Sequence, residues 1–136
     1  MYRDRLPDAG LIGVGTDIIE IDRVKGAVER SGSRFLERVF TFEERLFCDA
    51  RRDCFACYAA RFAAKEAVLK AFGSGLAGCR WVDVEVSRIN GGRPEILLHG
   101  AAAEMAKEKG IATVLISLSH DRDRAVAFAI ATGEGG

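Results

Sequence analysis

Two carboxylates that occur in apolar surroundings are the residues of this chain most able to perform chemistry. Asp17 lies within residues 11–19, which are otherwise nearly all apolar or glycine and predict a buried strand. Glu66 follows Tyr58 and Phe62 at four-residue intervals, on the predicted apolar stripe of a helix. A buried carboxylate requires a cation, a hydrogen-bond donor or a metal to offset its desolvation. A pair of them predicts an oxygen-liganded Mg²⁺ site, completed by waters and substrate phosphates.

Cationic side chains surround Glu66 in the sequence. Arg61, Lys65 and Lys70 all lie near it, and Glu66 and Lys70 form an i, i+4 pair. Such a pair is ordinarily a stabilising surface feature, and Arg61 and Lys65 could equally be solvated helix residues. Cations around a carboxylate-bound metal would also suit phosphate chemistry, because they hold the nonbridging oxygens. These residues alone do not distinguish a solvated surface cluster from a phosphate-binding one.

The first predicted elements are a strand and two helical segments. The strand covers residues 11–19. Asp22 is predicted to be the N-cap of a helix that runs to about Arg30 and stops at Gly32. Residues 33–39 predict one or two further helical turns. Asp17 is thus expected near the end of a strand that leads into a helix.

Glu66 belongs to a long predicted helical region. Thr41 and Glu44 have the spacing of a capping box, which opens the region. Gly73 is the glycine expected just beyond its last turn. Residues 51–53 are its most polar point, so the region could break there into two helices.

The second half of the chain changes from a helical to a strand-like period. Its predicted elements are strands at 81–87 and 95–99 joined by an Asn90-Gly91 hairpin, a helix at 101–109, and strands at 113–119 and 124–132. The order β-α-α-β-β-α-β-β predicts an α+β domain with a mainly antiparallel sheet and a long helix. This single domain spans residues 11–132, between a flexible extension at 1–10 and a disordered tail at 133–136.

Composition narrows the classes of function. The 136 residues include 20 basic and 20 acidic side chains, so net charge favours neither nucleic acid nor an anionic membrane as a partner. No apolar stretch approaches the ~18 residues of a membrane span. The N-terminus also lacks the apolar core of an export signal. We therefore expect a cytoplasmic enzyme or binding domain.

The cysteines, Cys48, Cys54, Cys57 and Cys79, are expected to be reduced packing residues. Cys54 and Cys57 form a C-x-x-C, but zinc needs four ligands and no second pair occurs at suitable spacing. A structural zinc-binding domain remains an alternative. A disulfide is not expected in a chain without an export signal.

A set of short motifs runs in order from Ile12 to Ile130. Its members are Gly15-Thr16-Asp17-Ile18, Phe40-Thr41-x-x-Glu44, Phe62-x-x-Lys65-Glu66-Ala67-x-x-Lys70-Ala71-Phe72, Gly73-Ser74-Gly75, Gly92-Arg93-Pro94 and Ser117-Leu118-Ser119-His120-Asp121. Together they resemble the signatures of the 4′-phosphopantetheinyl transferases of the short bacterial type. The resemblance implies that family's fold and its activity. The activity moves the phosphopantetheine arm of coenzyme A to a serine of an apo acyl carrier protein and releases adenosine 3′,5′-bisphosphate.

The resemblance also implies roles for individual residues. Asp17 and Glu66 would ligate Mg²⁺, and Lys70 would contact the phosphates as charge builds on the leaving group. The residues implied in coenzyme A binding are Arg51, Arg52, Arg61, Lys65, Lys70, Gly73 and His120. Arg23 would contact the acidic helix of the carrier protein. Either Glu66 or a metal-bound water would take the proton of the acceptor serine.

His120 has two interpretations on sequence grounds. The string Ser119-His120-Asp121 is not a hydrolase triad, because adjacent residues of a strand point to opposite faces. His120 is therefore either a turn-stabilising residue or, as the resemblance implies, part of a coenzyme A pocket.

Each signature occurs once, whereas larger members of the family contain two similar halves around one site. The resemblance therefore implies a homotrimer with active sites at the subunit interfaces. Two other functions stay open: the same chemistry on carrier domains of polyketide or peptide synthases, and a non-catalytic coenzyme A-binding module. The intact set of Asp17, Glu66 and Lys70 argues against the module, because a protein without catalysis has no need of a costly buried metal site.

Overall fold

The structure, a computed structural model, describes residues 10–88 and 91–134. Its elements in chain order are β1 (Leu11–Glu20), α1 (Ile21–Ser31), α2 (Ser33–Val39), α3 (Phe42–Asp49), α4 (Cys54–Phe72), β2 (Val84–Ser87), β3 (Glu95–Leu98), α5 (Gly100–Glu108), β4 (Thr113–His120) and β5 (Arg124–Thr132). A single 3₁₀ turn, Trp81–Asp83, precedes β2. The predicted α+β class and long helix are confirmed.

The strands form two antiparallel sheets. β5 lies between β1 and β4 in a three-stranded sheet, and β2 pairs with β3 in a two-stranded one. α4 packs across one face of the larger sheet, where every second residue of β5 is a buried alanine. The small alanine side chains let the helix and sheet approach closely.

The predicted break in the long helical region is confirmed, and it separates α3 from α4. The Thr41 hydroxyl accepts the backbone N–H of Glu44, whose carboxylate accepts the backbone N–H of Thr41 in return. α4 ends at Gly73, which adopts a left-handed φ of 78° that glycine tolerates without penalty.

Two predicted boundaries are wrong. α1 begins at Ile21 directly after β1, so Asp22 is not its N-cap but lies in the first turn, where its charge suits the positive end of the helix. The strand predicted at 81–87 begins only at Val84. The residues before it form a 3₁₀ turn, in which the Asp83 carboxylate accepts the backbone N–H of Arg80.

Some predictions fall on the ends of the chain and on one turn. Residues 1–9 and 135–136, predicted to be loose, and Asn90 of the predicted hairpin turn lie outside the described residues. Where the described part begins and ends, the backbone N–H of Gly133 donates to the carbonyl of Gly10. Among the described residues, no helix has the length and apolar character to cross a membrane.

Candidate active site

Close packing of β1 on α4 brings Asp17 to the helix that carries Glu66. Gly15 faces α4, and a Cβ at this position would lie 1.9 Å from the carbonyl oxygen of Ala67. Gly13 makes a similarly close approach one turn further along the helix. Only glycine permits such contact between the two backbones. Because side chains alternate along a strand, Asp17 follows on the same, helix-facing side.

Asp17 and Glu66 line one cleft of about 610 Å³. α1 forms another wall of this cleft, through Arg23 and Arg30 among others. Burial raises the pKa of Glu66, the negative charge of Asp17 raises it further, and the charge of Lys70 opposes the shift. Two carboxylates that repel each other in this way favour a cation between them.

Glu66 lies on the one open stripe of α4 rather than on a buried stripe. Almost all of this helix is buried, and its partly or fully exposed positions include Phe62, Glu66 and Lys70. Phe62 also lines the cleft of Asp17 and Glu66. The predicted stripe is therefore only partly in the core, because Tyr58 is fully buried whereas Phe62 and Glu66 are partly exposed.

Lys70 contacts the strand rather than Glu66. Its ammonium group donates to the Asp17 carboxylate at 3.2 Å and to the backbone carbonyl of Thr16 at 3.0 Å. The predicted i, i+4 pair is therefore replaced by a link from α4 to β1. Lys70 remains half exposed, so its charge is available at the mouth of the site.

The residues present fit a hard divalent cation held jointly with a substrate. Among the described residues, no group of three or more His, Cys, Asp or Glu side chains is arranged as a metal cage. That result gives the predicted zinc alternative no support in this part of the chain. The carboxylate oxygens of Asp17 and Glu66 would leave most of an octahedron to water and phosphate, which is the usual arrangement for Mg²⁺.

A second, smaller cleft of about 100 Å³ collects basic side chains. Arg51, Arg61 and His120, three of the residues implied in coenzyme A binding, all line it. Arg88 lines it as well. Arg88 was not predicted, because its position just after β2 looks like that of any solvated arginine. Guanidinium groups converging on a small cavity suit phosphate oxygens.

Arg61 is buried, which excludes its interpretation as a solvated helix residue. The side chain is 4% exposed, and its guanidinium carbon lies 4.3 Å from the centre of the Phe47 ring. One terminal nitrogen donates to the Sγ of Cys57 at 3.1 Å, while Nε has no hydrogen-bond partner. The group therefore holds a desolvated charge at the wall of the second cleft.

Lys65 is fully buried and has no donor left for a ligand. Its ammonium group donates to the Glu44 carboxylate at 2.7 Å and to the backbone carbonyls of Val84 and Trp81 at 2.6 and 3.2 Å. Burial lowers the pKa of Lys65, and the Glu44 carboxylate opposes that shift. Lys65 therefore ties α4 to α3 and β2. Both predictions for Lys65, a contact with coenzyme A and a solvated side chain, are therefore wrong.

Two other residues implied in coenzyme A binding lie outside both clefts. Arg52 is exposed in the turn between α3 and α4, and Gly73 terminates α4. Their contacts with coenzyme A stay predictions.

His120 faces the second cleft and takes no part in a triad. Its Nε2 lies 3.7 Å from the Asp53 carboxylate, and its Nδ1 lies 3.2 Å from the carbonyl of Asp121. Backbone N–H groups of Arg124 and Asp123 donate to the Asp121 carboxylate and lower its pKa. That carboxylate therefore stabilises the β4–β5 turn.

Known proteins resemble this chain in both sequence and fold. It is 54% identical to a holo-[acyl-carrier-protein] synthase of Desulforudis audaxviator over 123 residues, covering 90% of this chain and 94% of the relative. The crystal structure of the Neisseria meningitidis synthase matches with a TM-score of 0.83 at 33% identity, covering 89% of this chain and 98% of that one. The Helicobacter pylori synthase, solved in complex with coenzyme A, matches with a TM-score of 0.76 at 29% identity, covering 88% and 99%.

A family model agrees with these matches. The model described as the 4′-phosphopantetheinyl transferase superfamily matches residues 13–129, which include Asp17, Glu66, Lys70 and both clefts. The chain therefore belongs to the 4′-phosphopantetheinyl transferase superfamily, among its holo-[acyl-carrier-protein] synthases.

Proposed function

We propose that Asp17 and Glu66 hold Mg²⁺ while this enzyme transfers 4′-phosphopantetheine from coenzyme A to a serine of apo acyl carrier protein. One observation carries the assignment of residues. Carboxylates from β1 and α4 line the same cleft, and the ammonium group of Lys70 is already hydrogen-bonded to Asp17.

The reaction exchanges one phosphorus–oxygen bond for another. The serine hydroxyl attacks the phosphorus nearer to pantetheine, the pyrophosphate bridge breaks, and adenosine 3′,5′-bisphosphate leaves. Mg²⁺ would neutralise the charge that develops on the phosphates. Lys70 would stabilise the same charge from the mouth of the site. Glu66 is the candidate acceptor for the hydroxyl proton, because Asp17 is engaged by Lys70.

The second cleft is our proposed binding site for the phosphates of the nucleotide end of coenzyme A. Arg51, Arg61 and Arg88 supply positive charge there, and His120 stands at its edge. A bound anion would interact most strongly with the desolvated guanidinium of Arg61, because few water molecules compete for that group. The two clefts share no lining residue, so they are separate sites within one subunit.

A homotrimer with interfacial sites is our proposal for the assembly. The face of the three-stranded sheet that points away from α4 carries an exposed apolar patch. Its members are Val14, Ile18, Leu115, Phe128 and Ile130. Strand register aligns Val14, Ile130 and Leu115 in one row and places Phe128 in the middle strand beside it. Exposed apolar side chains in adjacent rows favour burial against another subunit.

Arg23 is our proposed contact for the carrier protein. It is exposed on α1 and lines the cleft of the two carboxylates together with Arg30. A basic wall beside the reacting centre would attract an acidic carrier and guide its serine toward Glu66. A cytoplasmic location, which such a carrier would share, remains a prediction from the sequence.

Intact-mass analysis of apo acyl carrier protein tests this function. After incubation with the enzyme, coenzyme A and Mg²⁺, the carrier should gain about 340 Da, and EDTA should abolish the gain. A parallel reaction with a polyketide or peptide synthase carrier domain tests the alternative acceptors. Coenzyme A binding without any mass gain on either carrier would instead favour the non-catalytic module.

A further inference from the structure

A pair of thiols lies beside the buried guanidinium of Arg61, and phosphopantetheine transfer does not use it. Cys57 is in the second turn of α4, and Cys48 is near the end of α3. Both are free and buried, and both belong to one hydrophobic cluster between the two helices. Cys57 also lines the small basic cleft.

Arg61 makes Cys57 the natural site for a negative charge. The guanidinium is 4% exposed and forms no ion pair with a carboxylate of the described residues. A buried cation requires a counter-charge. The Sγ of Cys57, at 3.1 Å, is the only acceptor that the guanidinium reaches in the described chain, while its Nε has none. When no coenzyme A phosphate occupies the cleft, a thiolate at Cys57 would satisfy this cation.

The two sulfurs are electrostatically unequal. A hydrogen bond from Cys48 lowers the pKa of Cys57, and the charges of Arg61 and Arg51 act in the same direction against burial and the charge of Asp53. The same contact, together with burial, raises the pKa of Cys48. Because Arg61 contacts the Cys57 sulfur and Cys48 is fully buried, Cys57 is the nucleophile of the pair and Cys48 is a neighbouring protonated thiol.

Burial limits what can reach the sulfur of Cys57. The residue lines the second cleft but is only 7% exposed, so a large oxidant has little of it to approach. Hydrogen peroxide is only slightly larger than water and is uncharged. Glutathione disulfide is many times larger. A small peroxide is therefore the oxidant that this geometry admits.

We propose that Cys57 is a peroxide-reactive thiol and that Cys48 converts its sulfenic acid into a disulfide between α3 and α4. In the first step the Cys57 sulfur attacks one peroxide oxygen, the O–O bond breaks, and hydroxide leaves and is protonated to water. In the second step the Cys48 sulfur attacks the Cys57 sulfur, an S–S bond forms, and the sulfenic oxygen leaves as water. One peroxide takes up the two electrons that the two thiols lose.

Peptide mapping of the oxidised, full-length chain tests the proposal. The reduced protein is treated with limiting hydrogen peroxide, its remaining thiols are alkylated, and the digest is analysed by mass spectrometry. We expect the first cross-linked peptide to join Cys48 to Cys57. With the sulfenic-acid reagent dimedone present, or in Cys48→Ala, Cys57 should carry the adduct instead.

Accessibility alone predicts the opposite order of reaction. Cys54 and Cys79 are both partly exposed, whereas Cys57 is 7% exposed. Burial and the charge of Asp83 raise the pKa of Cys79. This thiol is therefore an internal control, because it is partly exposed but less readily forms the reactive thiolate. First oxidation at Cys54 or Cys79, a Cys54–Cys57 disulfide, or an unmodified Cys57 would overturn the proposal.

A charge variant tests the role of the guanidinium. Arg61→Met should slow oxidation of Cys57 by about tenfold, because the thiolate loses its cation. Arg23→Met, in the other cleft, removes an equal charge and should leave the oxidation rate unchanged. An equal effect of both variants would contradict the assignment. The mapping of the unmutated chain needs no variant to fold, and neither measurement requires transferase activity.

Discussion

The ammonium group of Lys65 lies 2.7 Å from the carboxylate of Glu44, and both side chains are fully buried. The same carboxylate accepts backbone N–H groups of Thr41 and Val86, so it connects α3, α4 and β2. Lys65 immediately precedes Glu66 in α4. The buried pair therefore fixes the rotation of α4 at which Glu66 faces the cleft.

Removal of the cation from this pair should destabilise the fold strongly. In Lys65→Met the Glu44 charge stays buried without its partner, which we expect to lower the free energy of unfolding by about 3–5 kcal/mol. Urea denaturation measures the change. Glu43→Gln, at an exposed position beside Glu44, is the matched control and should change stability by less than about 1 kcal/mol. Equal effects of the two variants would show that the buried pair contributes little.

Gly15 should tolerate no side chain. In Gly15→Ala the new Cβ would overlap the backbone carbonyl of Ala67, so β1 must move away from α4, at a cost of about 1–3 kcal/mol or more. Gly26→Ala is the control, because a Cβ there meets only the flexible Arg30 side chain. In α1 that change should be neutral or stabilise by up to ~1 kcal/mol. Thermal unfolding distinguishes them, and a Gly15→Ala protein as stable as the parent would contradict the packing account.

The exposed sheet face should control assembly. In Phe128→Lys a charge replaces the central apolar side chain of that face, and we expect the proposed trimer to dissociate in analytical ultracentrifugation, with loss of transfer activity. Leu46→Lys is the matched control, since Leu46 on α3 is 58% exposed and Phe128 is 55% exposed. A monomeric parent protein, or dissociation by Leu46→Lys alone, would place the interface elsewhere.

Charge reversal at Arg23 should weaken recognition of the carrier without disturbing coenzyme A. We expect Arg23→Glu to raise the KM for apo carrier on the order of tenfold and to reduce its dependence on salt. Lys107→Glu makes the same charge change at an exposed position on α5, and its KM should stay at the parental value. Steady-state kinetics at two salt concentrations gives both quantities, and identical behaviour of the variants would remove Arg23 from the carrier interface.

The two carboxylates of the candidate site were easier to predict from the sequence than the environment of the side chains around them. Asp17 and Glu66 were recognisable because each breaks a local apolar pattern, and the structure brings both to one cleft. The capping box at Thr41 and the glycine at 73 were also recognisable, because helix ends are determined by a few neighbouring residues.

Features that depend on distant contacts were not predictable from local patterns. The partner of Lys65 is 21 residues away in the chain, so its burial could not be inferred from its own helix. Arg88 enters the second cleft only because the sheets bring the end of β2 toward β4. The division into two sheets likewise depends on strand pairing over long range, which alternation along a single strand does not specify.

The rate of phosphopantetheine transfer by the two carboxylate variants tests the central claim most directly. Asp17→Asn and Glu66→Gln are compared with Glu104→Gln, an exposed carboxylate on α5, by the intact mass of the carrier across a Mg²⁺ titration. We predict that both site variants lose on the order of 10²-fold or more in rate, and that Glu104→Gln matches the parent. Folded Asp17→Asn and Glu66→Gln proteins that transfer at the parental rate, with the parental Mg²⁺ dependence, would contradict the assignment.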